Sequence, residues 1–132
     1  MKGSRSGRGG PGLALWCVVG TDVDRIIVFS VRIAVEAARR QALVASIRPL
    51  LEPTRVVPGC LACRLYEDFD DLNAFCIVFE WADRAALERF LRSDACKALL
   101  GAMEIGACRP EVRVDTIAER EGLEALAFIR GY

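Results

Sequence analysis

Val57-Pro-Gly-Cys-Leu-Ala-Cys-Arg-Leu-Tyr-Glu-Asp-Phe-Asp-Asp-Leu-Asn-Ala-Phe-Cys-Ile-Val-Phe-Glu-Trp81 reads as a β-hairpin, and the rest of the chain arranges itself around it. Pro58-Gly59 punctuates the entry and Cys60 to Glu67 is a strand-length run. Asp68 to Asn73 is rich in turn formers, and Ala74 to Trp81 is a second run of β-branched and aromatic residues. Side chains alternate between faces along a strand, so the register that aligns the oily sets puts Leu61, Cys63 and Leu65 beside Phe75, Ile77, Phe79 and Trp81. Cys60, Arg64, Tyr66, Val78 and Glu80 then share the opposite face. One face is nearly all hydrocarbon and aromatic, while the other mixes apolar groups with charges. That contrast predicts two different coverings for one sheet.

Upstream, Arg25 to Ile33 alternates as a first strand, with Ile27, Phe29, Val31 and Ile33 on one side. From Val35 the spacing turns helical, with Ala38, Ala42, Leu43, Ile47, Leu50 and Leu51 recurring at threes and fours. A helix to about Leu51 follows, its last turns kinked by Pro49 and its end set by Pro53 and Pro58-Gly59. Downstream, Asp83 is a good N-cap for a helix over Arg84 to Leu91, and Ser93-Asp94 restarts it through Cys96, Leu99, Leu100 and Met103. Arg109-Pro110 leads into a last strand, Glu111 to Ala118. The chain thus divides into a leader (1–24), a folded domain (25–118) and an amphipathic tail (119–132). In the tail Leu123, Leu126, Ala127 and Ile129 are expected to pack on a surface or a neighbour. The order β-α-β-β-α-β predicts an α+β, ferredoxin-like sandwich, four antiparallel strands with both helices on one face. The uncovered face carries Val28, Tyr66, Cys76 and Val78 beside Arg32, Arg64 and Glu80. It is too apolar to stay wet, which predicts a face-to-face homodimer with those three charges as an ion-pair set.

Composition narrows the function classes. The chain has 132 residues, 53% of them hydrophobic, enough for one real core. Its 18 basic and 18 acidic residues balance, so overall charge points to neither nucleic acid nor an anionic membrane. Leu13 to Gly20 is apolar for only about eight residues, short for a signal-peptide core, and no stretch approaches the roughly 20 residues of a membrane span. The six cysteines are read as reduced in a cytoplasmic protein. Cys60 and Cys63 form a CxxC, but an offset of three on a regular strand sets the sulfurs on opposite faces, and nothing completes a zinc set. Histidine is absent. That excludes Ser-His-Asp and Cys-His catalysis, a proximal haem histidine and the common zinc and non-haem iron sites; neither a metal nor a cofactor is expected.

Pro58-Gly59-Cys60-Leu61, Phe75-x-Ile77-x-x-Glu80-Trp81, Ala86-Leu87-x-x-Phe90-Leu91-x-Ser93 and Pro110-Glu111-Val112 stand in an order and spacing that resembles the antibiotic biosynthesis monooxygenase family, quinol monooxygenases included, over about Ile26 to Ile117. The resemblance implies a dimeric α+β barrel. It also implies a cofactor-independent monooxygenase acting on a reduced aromatic such as a quinol or hydroxynaphthalene, in a cavity between sheet and helices. Trp81 matches the tryptophan that lines the pocket in several of these oxygenases and is the candidate catalytic residue. Phe29, Cys63, Phe79 and Phe90 are the candidate substrate-binding residues. Phe90 sits where many relatives carry histidine, the iron ligand of the haem-degrading branch, so that activity is not expected here. Phe79 stands where many relatives have the first of two acids. Core filling explains the same aromatics without a ligand, and the alternative function is a non-catalytic dimeric domain of the same fold that binds a small ligand or a regulatory partner.

Overall fold

The alternation in β1 (Ile27–Ala34) becomes a strand with one face in the core: Ile27, Phe29, Val31 and Ile33 are buried, while Val28, Ser30 and Arg32 are half-buried. In the computed structural model, which describes residues 25–131, β1 lies between β3 (Ala74–Trp81) and β4 (Glu111–Thr116). β2 (Cys60–Glu67) pairs with the far side of β3, giving the order β2-β3-β1-β4 with every pairing antiparallel. α1 (Arg40–Arg55) connects β1 to β2, while α2 (Arg84–Leu91) and α3 (Asp94–Met103) connect β3 to β4. These helices cover the face of Ile27, Phe29, Val31 and Ile33, so the ferredoxin-like α+β architecture is the one expected.

The first helix departs from expectation at both ends. Val35 stays extended because its N–H donates to Asn73 O (2.8 Å), which ties it to the hairpin loop; one 3-10 turn (Ala37–Arg39) follows before α1 begins at Arg40. α1 then runs past Leu51 to Arg55, through both Pro49 and Pro53. Both prolines lie on the exposed side, where water takes up the carbonyls whose partners they remove, while Leu43, Ile47 and Thr54 anchor the other side. The second helical region breaks where expected. Ala86 N–H donates to Asp83 Oδ1 (2.9 Å) to cap α2. Ser93 Oγ accepts from Cys96 N–H (3.2 Å) and donates to Phe90 O (2.6 Å), so one hydroxyl ends α2 and starts α3.

The hairpin keeps most of its expected register. Cys63 stands opposite Phe79 and Leu65 opposite Ile77, on the helix side. Two placements are overturned by a β-bulge between Cys60 and Ala62. Cys60, not Leu61, stands opposite Trp81, and Leu61 is 53% exposed. The expected opposition of the two sulfurs fails with it, because the extra residue puts Cys60 and Cys63 on the same face. The cause lies at the strand entry. Gly59 O accepts from Ala82 N–H (2.8 Å), pinning the start of β2 to the end of β3, and Gly59 has φ +90 with its backbone pressed against α2. The bulge absorbs the mismatch between this anchor and the register of the remaining strand.

The uncovered face carries Val28, Tyr66, Cys76 and Val78 as expected, and within the one chain its three charges do not pair with one another. Arg32 pairs with Asp68 (3.0 Å), with Asp71 and Glu111 further off, and Glu80 pairs with Arg120 (3.4 Å). Arg64 has no ion-pair partner among the described residues. β4 ends at Thr116, two residues short of expectation. The tail forms α4 (Leu123–Arg130), and none of its residues is buried on its own domain.

Candidate functional site

Strand alternation and one helix turn assemble the aromatic cluster. Phe79 and Trp81 are two residues apart on β3 and share its helix-facing side; Phe29 stands opposite Phe79 on β1, and Cys63 opposite it on β2. Phe90 reaches down from α2. The rings of Phe29 and Phe79 stack with centroids 5.3 Å apart. Phe90 lies 5.0 Å from Phe79, 5.1 Å from Trp81 and 6.3 Å from Phe29, and Phe79 lies 6.2 Å from Trp81. All five residues singled out in the sequence are therefore brought together and buried. The rings touch, at separations typical of packed aromatic pairs, and they fill the space between sheet and α2.

Polar groups are scarce here. The indole of Trp81 is 0% exposed, and its Nε1–H has no acceptor among the described residues. That is unusual, since a buried tryptophan nitrogen ordinarily finds a partner. Thr54, in the last turn of α1, is 1% exposed and its Oγ1 is likewise unpaired. Sequence reasoning missed Thr54. The only signal it offered was a threonine three residues after Leu51, in phase with the apolar stripe yet placed after the expected end of the helix.

The thiols on this side are not nucleophiles at neutral pH. Burial pushes Cys63 up to about 11, with the neighbouring Cys60 adding to it, and burial also raises Cys60. Arg55 Nε donates to Cys63 O (2.9 Å) and opposes the rise at both sulfurs. The nearby carboxylates are committed elsewhere: Asp83 caps α2, and Glu80 faces the other side of the sheet toward Arg120. Among the described residues no three Cys, Asp or Glu side chains converge as metal ligands, although the bulge turns Cys60 and Cys63 to the same side. The cluster is apolar and closely packed, and the unpaired polar atoms on this side include the Trp81 indole nitrogen and the Thr54 hydroxyl. It contains no general base.

Comparison with known proteins follows this fold. The chain is 28% identical over 101 residues to an uncharacterised protein of Synechocystis sp., spanning 76% of this chain and 69% of that one. A solved structure described as an antibiotic biosynthesis monooxygenase superposes with a TM-score of 0.63 at 23% identity, covering 70% of this chain and 99% of its own. A protein of Pseudomonas aeruginosa superposes at 0.61 with 24% identity (77% and 100% covered), and one of Shewanella oneidensis at 0.66 with 21% identity (71% and 92% covered). At these identities the superpositions establish the fold alone. The family profile described as antibiotic biosynthesis monooxygenase matches residues 26–101, from the first residue before β1 to the last turns of α3 and more than half of the chain. With the β-α-β-β-α-β topology and the buried aromatic cluster, that match places the chain in the antibiotic biosynthesis monooxygenase family.

Proposed function

We propose that the domain is a cofactor-independent monooxygenase of a reduced aromatic, such as a quinol or hydroxynaphthalene, working as a homodimer in the cytoplasm. The observation that carries this reading is the Trp81 indole, fully buried with an unmatched donor among aromatic rings. A substrate oxygen between β3 and α2 would accept from it. For a 1,4-dihydroxynaphthalene the reaction balances without a cofactor: one atom of O₂ enters the ring, the other leaves as water, and the substrate supplies all four electrons in becoming a hydroxyquinone. The protein's part is to orient the ring, exclude water and donate one hydrogen bond to the oxygen on which charge develops. Substrate entry requires α2 to lift Phe90 from Phe79 and Trp81. With no base in the cluster, the substrate's own ionisation sets the rate, which rises with pH along the substrate's pKa. The uncovered sheet face is the dimer surface, burying on the order of 800 Å² per partner.

The test is oxygen consumption with a panel of hydroquinones and hydroxynaphthalenes, comparing wild type, Trp81→Phe and a protein-free control. Trp81→Phe keeps the fold and lowers turnover by on the order of tenfold, the worth of one hydrogen bond to a charged oxygen. Rates no faster than autoxidation across the panel refute the catalytic reading. One observation favours a second reading, a non-catalytic ligand-binding or regulatory dimer: the four rings already fill their space. Binding of the same aromatics without turnover would establish it.

A further inference from the structure

We propose that Thr54 is the second polar anchor of the ligand site, so that its hydroxyl and the Trp81 indole together select a dihydroxylated aromatic over a mono-hydroxylated one; this rests on the aromatic-ligand reading above.

A threonine inside a helix ordinarily turns its hydroxyl back to the carbonyl three or four residues earlier. Ser46 does so in this helix, donating to Ala42 O (2.9 Å). Thr54 does not, although it is 1% exposed and water cannot reach it. It is the buried polar residue among the described residues of the core, so its orphaned hydroxyl is a standing cost that helix geometry does not impose.

The chain path ties Thr54 to the strand that pairs with Trp81. Val57 N–H donates to Thr54 O (3.1 Å), Cys60 N–H to Val57 O (3.0 Å), and Arg55 Nε to Cys63 O (2.9 Å). These bonds seat the last turn of α1 over the Cys60–Cys63 segment of β2. Cys60 is the register partner of Trp81, so Thr54 and Trp81 both adjoin the entry half of β2 on its helix-facing side, Thr54 from the last turn of α1 and Trp81 from the neighbouring strand β3. Cys60 and Cys63, whose thiols burial keeps protonated, share this side of β2, and Cys63 stands opposite Phe79, whose ring meets that of Phe90. The site thus has an apolar body and two polar points of different kinds. Indole Nε1–H only donates, whereas a hydroxyl both donates and accepts. A substrate with two ring oxygens satisfies both, and one with a single oxygen leaves one of them unpaired.

Thr54→Val removes the hydroxyl at nearly constant shape, and Thr54→Ser keeps it. Equilibrium dialysis under nitrogen measures the affinity of 1,4-dihydroxynaphthalene and of 1-naphthol for each variant and for Trp81→Phe. Wild type and Thr54→Ser are expected to hold the diol about five- to tenfold more tightly than the mono-alcohol, the worth of one buried hydrogen bond. In Thr54→Val the ratio falls to about one with 1-naphthol binding unchanged, and the ligand-free variant is at least as stable as wild type to urea. A ratio that survives in Thr54→Val overturns the role of Thr54, and so does a loss of stability, which would mean that the hydroxyl is already satisfied in the free protein. Failure of wild type to bind either naphthalene overturns the aromatic-ligand reading itself. Binding that is weakened by Trp81→Phe but indifferent to Thr54→Val removes Thr54 alone.

Discussion

Gly59→Ala tests whether the entry to β2 sets the position of Trp81. Gly59 has φ +90, and a methyl group there would meet the Cβ of Ala86 on α2 at 2.5 Å, closer than real Cβ atoms approach. Two costs add. A left-handed conformation in a residue with a Cβ costs about 1–2 kcal/mol, and forcing an extra methyl into a packed contact costs about 1–3 kcal/mol. Stiffening of the unfolded chain returns about 0.4–1 kcal/mol. The net expectation is a destabilisation of about 2–4 kcal/mol, read as a lower urea midpoint at unchanged slope. Ala86→Gly provides the control. By itself it costs about 1 kcal/mol in helix propensity, but in the double variant it relieves the methyl clash and leaves the backbone strain. The cycle should therefore show a coupling of at least about 1 kcal/mol in the direction of rescue. Because Ala82 N–H donates to Gly59 O and Ala86 shares α2 with Phe90, Gly59→Ala should also alter the near-ultraviolet circular dichroism of the aromatic cluster. A Gly59→Ala protein within about 0.5 kcal/mol of wild type, or an additive cycle, would refute the reasoning.

The Cys63 thiol, pushed up to about 11 by burial, keeps its proton in the fold above the pH at which the unfolded chain releases it. Stability from this group is intact below about pH 9 and declines as pH rises toward 11, so Cys63→Ala should flatten that part of a urea-midpoint profile; a profile that is unchanged in shape counts against it. In native protein at pH 7.5 a thiol reagent should modify the exposed Cys108 well before Cys63, as peptide mapping would show. Glu80→Lys places a positive charge beside Arg120 on the uncovered face, and sedimentation should show a weaker dimer than wild type, with the difference shrinking in high salt. A wild-type chain that is monomeric at micromolar concentration would refute the dimer itself.

Periodicity and capping alone were sufficient for the elements of the fold. The alternation of Ile27, Phe29, Val31 and Ile33 and the matching alternation of Phe75, Ile77, Phe79 and Trp81 named the buried face of β1 and β3. Asp83 and Ser93 marked the starts of α2 and α3. These signals are local, carried by residues two to four apart, and they placed Phe29, Cys63, Phe79, Trp81 and Phe90 on one side of one sheet. What required the tertiary structure depends on segments distant in the chain. α1 begins late because Val35 is held by Asn73, and Leu61 and Cys60 exchange faces because Gly59 is wedged between Ala82 and Ala86. Glu80 finds Arg120 rather than Arg64 or Arg32 because the chain after β4 returns to the uncovered face. Thr54 becomes a buried residue of α1 because the helix continues through Pro53, which in the sequence reads as its end, and its hydroxyl is left unpaired. A bulge, a wedge and an orphaned donor arise where two elements compete for the same space or the same partner, and only packing decides that competition.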